Sequence, residues 1–91
     1  IGLQQSPICI DVHACLLPSA RGRRAIDACR GFLRWLPANS SYRKAVASIP
    51  VFNRPMLRVA HAAGMTRAGI NRRSVMRNGE RYDQVILECE L

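Results

Sequence analysis

Three arginines stand close together near the start of this 91-residue chain: Arg21, Arg23 and Arg24. They precede and open a segment with helical spacing, and the N-terminus of a helix already carries partial positive charge that disfavours cations. A bound phosphate reverses this balance, because the helix amides, the helix dipole and the guanidinium groups then all face one anion. The alternative is that the arginines extend into water at a surface turn, at a cost of about a few tenths of a kcal/mol each.

A second pair of residues that could do chemistry is Asp11 and His13. They share the polar face of a predicted strand, and a neutral imidazole near physiological pH can accept a proton, directly or through water. This pair is therefore the candidate general base of the chain. The alternative is that Asp11 and His13 pair with each other, or lie under a covering helix, without a catalytic role.

The charge of the chain points to an anionic partner. Lys and Arg number 14 against 6 Asp and Glu, a formal net charge of +8, and all but one of the basic residues are arginine. Arginine makes bidentate contacts with phosphate and carboxylate, so the partner classes are a phosphate-bearing cofactor, nucleic acid or an acidic protein. Nucleic acid is the least supported class, since the chain has two Tyr, two Phe and one Trp for stacking and no known nucleic-acid motif.

Neither the cysteines nor the apolar segments indicate a metal site or a membrane protein. No C-x-x-C pair and no zinc-ligand spacing occurs, so we interpret the cysteines as buried thiols of a reducing compartment and expect a cytoplasmic protein. No apolar run approaches the roughly 20 residues of a transmembrane helix, and no signal peptide is visible. The chain begins with Ile rather than Met, so we expect a processed product or part of a longer protein. The cysteines are Cys9, Cys15, Cys29 and Cys89.

Three elements must position the candidate residues. Apolar and polar residues alternate over residues 8–16, which predicts a strand, and residues 21–36 have the apolar spacing of an amphipathic helix that Pro37 should end. Residues 42–49 then predict a second strand, closed by Pro50. Strand, helix and strand in this order form a βαβ unit with parallel strands. In such a unit ligands bind at the carboxyl ends of the strands, where the arginines lie.

A second helix and a hairpin follow. Asn53 is a good N-cap and Gly64 a good C-terminal residue for a short amphipathic helix between them. The dipeptide Asn78-Gly79 strongly favours a tight hairpin turn between strands at residues 66–76 and 82–91. The sequence therefore predicts a single α/β domain over residues 1–91.

This order of elements resembles the C-terminal half of the GNAT acyl-CoA N-acyltransferases. The resemblance is carried by "HACLLPSARGRRA", "NRPMLRVAHAAGMTRAG" and "RNGERYD", and is greatest to the branch that modifies protein N-termini and to its phage-encoded relatives. It implies a GNAT-like βαβ unit, then a helix and a C-terminal hairpin in a mixed sheet, with the first strands of the domain missing and residues 1–3 at the end of the family's third strand. The matching positions are Asn53, the pair Gly64-Met65, Gly69 and residues 79–83.

The resemblance implies acetyl-CoA as the cofactor and an amine as the acceptor. Amine acetylation needs a general base, and Asp11 and His13 are the suitable pair on the polar face of the first strand. The turn at residues 21–25 would bind the pyrophosphate, the strand backbone before it would position the thioester, and Asn53 would contact the pantetheine or ribose. The residues implied to bind the cofactor are Leu16, Leu17, Arg21, Gly22, Arg23, Arg24, Ala25 and Asn53.

Two departures from the family pattern argue against catalytic activity. Arg24 stands where the pyrophosphate loop usually has its central glycine, and Ala60 stands where many members have a general-acid tyrosine. The sequence is therefore compatible with two functions. One is an acetyl-CoA-dependent N-acetyltransferase domain. The other is a catalytically degenerate GNAT-like structural or assembly protein, for example of a phage virion, that binds partner proteins or DNA. In either case a second copy or a partner chain could complete the sheet, because the first strand would otherwise have an exposed edge.

Overall fold

The computed structural model describes residues 3–4, 8–12 and 22–91. These residues form an α/β fold of seven elements, and neither helix combines the length and apolar character that a membrane crossing demands. The elements along the chain are β1 (Leu3–Gln4), β2 (Cys9–Asp11), α1 (Gly22–Asn39), β3 (Lys44–Pro50), α2 (Arg54–Ala62), β4 (Thr66–Arg77) and β5 (Glu80–Glu90).

The strands form one mixed sheet in the order β1-β2-β3-β5-β4. β2 and β3 are parallel, with Ile10 opposite Ala45, so the predicted βαβ unit is confirmed; the other pairs are antiparallel. β1 lies along the outer edge of β2, with Leu3 opposite Asp11. The sequence predicts that the edge of the first strand is exposed unless upstream sequence or another subunit covers it, and β1 covers it at these two positions.

The core lies between the helices and one face of the sheet. On β3 the side chains of Ala45, Ala47 and Ile49 are buried, whereas the alternate residues, such as exposed Ser48, point to the opposite face. The helices cover the first face, since their apolar stripes belong to the same buried cluster. The buried residues of the cluster from β2 and the residue after it, the helices and β5 include Ile10, Val12, Ala25, Cys29, Leu33, Leu36, Val59, Ala60 and Leu87.

Helix α1 does not end where the sequence predicts. Pro37 lies inside its last turn and the helix continues to Asn39, because a proline there removes only one backbone bond and the final carbonyl groups find side-chain donors. Asn39 Nδ2 donates to the carbonyl oxygen of Trp35 at 2.9 Å, and Ser40 Oγ donates to that of Leu36 at 2.5 Å.

Two side chains of α1 lie outside the core. Trp35 is 53% exposed and stacks on Phe32 with ring centroids 6.1 Å apart. Ala28 is exposed, although it lies at a position of the apolar spacing, and Ile26 packs against the core instead. The helix is therefore rotated slightly from the position that its apolar residues alone indicate.

Helix α2 and the hairpin agree with their local signals. Asn53 Oδ1 accepts a bond from the backbone N–H of Met56 at 3.4 Å, and Gly64 has a φ of 106° just after the helix. Asn78 and Gly79 have φ values of 52° and 79°, the conformation of the predicted tight turn. The N-cap, the C-terminal glycine and the hairpin turn are confirmed.

β4 contains an irregularity that its sequence does not indicate. The register with β5 shifts between Asn71 and Val75, where the chain bulges and Arg73 has a positive φ of 51°. The Asp83 carboxylate accepts a bond from the Arg73 backbone N–H at 2.8 Å, and Ser74 Oγ donates to the carbonyl oxygen of Asn71 at 2.9 Å. These bonds hold the bulge in one conformation.

Candidate functional site

The candidate site lies at the carboxyl edge of the parallel strands. Because β2 and β3 run in the same direction, the helices that follow them, α1 and α2, both begin at this edge. The backbone N–H of Val12 donates to the carbonyl oxygen of Val46 at 2.9 Å. β3 continues beyond this bond to Pro50. Both helix N-termini therefore lie at one edge. At α2, Pro55 has no N–H and the Met56 and Leu57 amides bond to Asn53, so the Arg54 N–H is the first-turn amide left as a donor.

Arginine side chains of the first turn of α1 stand at this edge. Arg23 and Arg24 are exposed, and Arg23 Nε lies 3.5 Å from a carboxylate oxygen of Asp27. Such an exposed pair is weak, so Arg23 can turn to another anion at little cost. The side chain of Ala25 is buried in the core, and only its backbone amide can contact a ligand.

The N-terminus of α2 adds a second polar group and another arginine. Asn53 is half-buried, and its Oδ1 atom caps the helix, so its amide nitrogen is the atom that can donate to a ligand. The backbone N–H of Asn53 donates to the carbonyl oxygen of Pro50 at 2.9 Å, which fixes the turn between β3 and α2. Arg54 follows directly and is exposed.

Asp11, one half of the predicted base, ends β2 and is half-buried. Its neighbours Ile10 and Val12 are buried against the helices, so Asp11 points to the opposite face of the sheet. His13, Leu16, Leu17 and Arg21 lie outside the described residues, and Gly22 is the first residue of α1. The pairing of Asp11 with His13 and the ligand contacts of all these residues stay predictions.

The structure brings one further segment to this edge. β3 ends at Pro50, opposite Gln84, whereas β5 begins at Glu80, so the turn half of the hairpin extends beyond the end of β3. The rings of Phe52 and Tyr82 meet edge to face with centroids 5.2 Å apart, and the Arg77 guanidinium lies 4.5 Å from the Phe52 centroid. Sequence reasoning missed this contact, because it depends on the strand register. The sequence feature that could have drawn attention to this segment is the density of arginines in residues 72–81.

Solved structures with the same fold are acetyltransferases. The chain superposes on a GNAT-family acetyltransferase from Bacillus anthracis with a TM-score of 0.78 at 17% identity, covering 99% of this chain and 55% of that one. The ribosomal-protein-S5-alanine acetyltransferase from Vibrio fischeri matches with a TM-score of 0.76 at 14% identity, over 97% and 49% of the two chains. A microcin C7 self-immunity acetyltransferase, solved with acetyl-CoA and AMP, matches with a TM-score of 0.70 at 20% identity, over 81% and 42%.

These likenesses establish the fold. No family model matches the chain, and no curated protein matches it in sequence. The chain spans about half the length of the solved structures it matches. The predicted α/β fold with a GNAT-like mixed sheet is confirmed, and an incomplete domain agrees with this partial coverage.

Proposed function

We propose that this chain is the C-terminal portion of an acetyl-CoA-dependent N-acetyltransferase. The observation that carries the proposal is the carboxyl edge of the parallel strands, where two helix N-termini and exposed arginines lie together in a fold shared with acetyltransferases. An anion at this edge would interact favourably with both helix dipoles and with the guanidinium groups.

The exposed arginines of α1 support binding of the phosphate groups of acetyl-CoA. Arg23 and Arg24 are exposed in the first turn of α1, and guanidinium groups bind phosphate through paired N–H donors. With Arg21, Gly22 and the amide of Ala25 they would hold the pyrophosphate. Asn53 would donate to the pantetheine or ribose, and the backbone of Leu16 and Leu17 would align the thioester. When bound, acetyl-CoA supplies the activated acetyl group.

The acceptor in this proposal is an amine, which must lose a proton to become an acylated product. His13 would accept that proton at an imidazole nitrogen, directly or through one water molecule. The carboxylate of Asp11 would orient the imidazole and favour its protonated form. Asp11 points away from the helices, so the amine would approach from the sheet face that α1 and α2 leave uncovered.

Ligand-induced stabilisation tests the cofactor site. Saturating acetyl-CoA should raise the melting temperature by several degrees, since a ligand at about 100 times its Kd stabilises by about 2.7 kcal/mol. Arg21→Glu with Arg24→Glu should abolish the rise. Arg34→Glu with Arg43→Glu makes the same charge change at exposed positions away from the edge and should leave it intact. No shift at millimolar acetyl-CoA would remove the proposal.

A degenerate scaffold, for example a phage virion protein, is the second candidate. It is favoured by Ala60, whose side chain is fully buried at the position where the resemblance implies a general acid, and by Arg24 in place of a loop glycine. This function requires a stable complex with partner chains or DNA and no transfer of acetyl groups to amines. Acetylation of a peptide amine by the purified protein, measured as the release of free CoA thiol, would exclude the scaffold function. The enzyme would act in the cytoplasm and the scaffold in the virion.

A further inference from the structure

The outer strand β4 and the start of β5 carry a surface rich in arginine, which we call the arginine edge. It consists of Arg67, Arg72, Arg73 and Arg77 of β4 and Arg81 of β5, all exposed. β4 pairs with β5 alone in the described sheet, so its other edge presents free backbone N–H and C=O groups.

The two carboxylates nearest in sequence offset only part of the charge of the five guanidinium groups. The Asp83 carboxylate accepts a bond from the Arg73 backbone N–H, and Glu80 accepts one from the Tyr82 hydroxyl at 3.0 Å. No carboxylate of the described residues lies within salt-bridge distance of these five guanidinium groups. The surface is therefore positively charged and has donors available for an anion.

Two of the guanidinium groups are held in place. Arg81 Nε donates to the carbonyl oxygen of Arg73 at 3.0 Å, and Arg77 lies over the ring of Phe52. Neither contact uses the outer amino groups, which stay free to donate to a carboxylate. Guanidinium groups ordered in this way lose less entropy when they bind than side chains that move freely in water.

Charged residues on an edge strand also prevent strands from pairing with copies of themselves. If the β4 edges of two copies met, arginine would lie against arginine. The repulsion excludes a second copy of the chain as the partner at this edge. It does not explain the apolar side chains of the same strand: Ile70 is 40% exposed and Met76 is 69% exposed. Exposed apolar residues on an edge promote association, and a purely protective strand would lack them.

We propose that the arginine edge binds an extended, acidic segment of another polypeptide, with apolar side chains between its carboxylates. A polypeptide satisfies both the N–H and the C=O groups of a strand edge, whereas a phosphodiester backbone supplies acceptors alone. The aromatic side chains beside the hairpin pack against each other and against Arg77, not in the open stacking arrangement that single-stranded nucleic acid requires. The partner is therefore protein.

Fluorescence anisotropy tests the proposal without acetyl-CoA, so its outcome does not depend on the proposed enzyme activity. The probes are a short labelled peptide of alternating Glu and Val, the same peptide with Gln for Glu, and an oligothymidine of similar length. The chain should bind the Glu peptide at least about tenfold more tightly than either of the others at physiological salt.

The variant pair locates the binding surface. Arg67→Gln with Arg72→Gln and Arg77→Gln should weaken binding of the Glu peptide about tenfold or more, whereas the matched triple change at Arg34, Arg43 and Arg58 should change it less than about twofold. Circular dichroism confirms that both variants fold. Equal loss in both variants, or tighter binding of oligothymidine, would overturn the proposal. The proposal would also be overturned if the first variant self-associated and the parent chain showed no preference for the Glu peptide. The arginines would then serve only to prevent the β4 edges of two copies from pairing.

Discussion

Arg30 and Ala62 join the two helices: Arg30 Nε donates to the carbonyl oxygen of Ala62 at 3.1 Å. Ala62 is the last residue of α2, where carbonyl groups lack a partner within the helix and the helix dipole is negative. One guanidinium thus caps α2 and holds it against α1.

Replacing Arg30 should therefore weaken the fold. Arg30→Met keeps most of the apolar stem and removes the donor, so we expect the free energy of unfolding to fall by about 0.5–1.5 kcal/mol. Urea unfolding monitored by circular dichroism measures the change. Arg34→Met, at an exposed position on the same helix, is the control and should change stability by less than about 0.5 kcal/mol. Equal losses in both variants would show that the bond contributes nothing.

The cap at Asn53 gives a second prediction. Asn53→Ala removes the acceptor for the Met56 amide and should reduce the free energy of unfolding by about 0.5–1 kcal/mol, the lower part of the usual range because the bond is 3.4 Å long. Asn53→Asp retains the cap and should preserve stability. If Asp destabilises as much as Ala in urea unfolding, the capping role is wrong.

Two glycines should respond to alanine in opposite directions. Gly31 lies inside α1, and a Cβ atom added there would meet no other atom within 4 Å, so Gly31→Ala should stabilise the chain by about 0.5–1 kcal/mol. Gly79 also has open space around it, but its φ of 79° is unfavourable for alanine, and Gly79→Ala should destabilise by about 1–2 kcal/mol. Thermal melts of both variants and of the double variant measure the effects. A destabilising Gly31→Ala would contradict the helix assignment.

Alkaline pH should destabilise the chain through Cys89. Burial, with smaller contributions from Cys29 and Glu90, raises the pKa of the Cys89 thiol in the folded chain. The folded state therefore holds the thiol proton more tightly than the unfolded state. This stabilisation is fully present below the unfolded pKa and is lost as the pH rises from about 8.5 through the folded pKa.

Urea midpoints between about pH 7.5 and 9.5 measure this loss. The range stays below the titration of Lys44 and Tyr82, whose pKa values are raised by hydrogen bonds to Glu88 and Glu80. Cys89→Ala should flatten the pH dependence over this range. An unchanged slope in that variant would mean that another group is responsible.

The sequence predicts best where one residue decides the local backbone. Asn53 as a cap, Gly64 after α2 and Asn78-Gly79 at the hairpin turn are all confirmed, because each depends on the conformational preference of that residue and not on distant contacts. The parallel βαβ unit is confirmed for a related reason. The alternation in β2 and the spacing in α1 leave few ways to bury both apolar surfaces at once.

Features that depend on contacts between distant residues could not be predicted from the sequence. The bulge of β4 depends on Asp83 of the neighbouring strand, and the exposure of Trp35 depends on how far α1 turns against the sheet. The extension of the hairpin to the carboxyl edge follows from the register of β5 with β3, which alternation alone does not determine. Of the candidate site, the exposed arginines of α1 and the turn at Asn53 are described, while the roles of Asp11 and His13 stay predictions.

The position of β5 has a consequence for the newly made protein. β5 follows all its neighbours along the chain, yet it lies between β3 and β4 and pairs with both. During translation both neighbours leave the ribosome before the strand that joins them, and until then each has an open edge that can pair with other nascent chains. Slow synthesis of residues 80–90 should therefore increase aggregation and the demand for chaperones, even though the completed protein is unchanged.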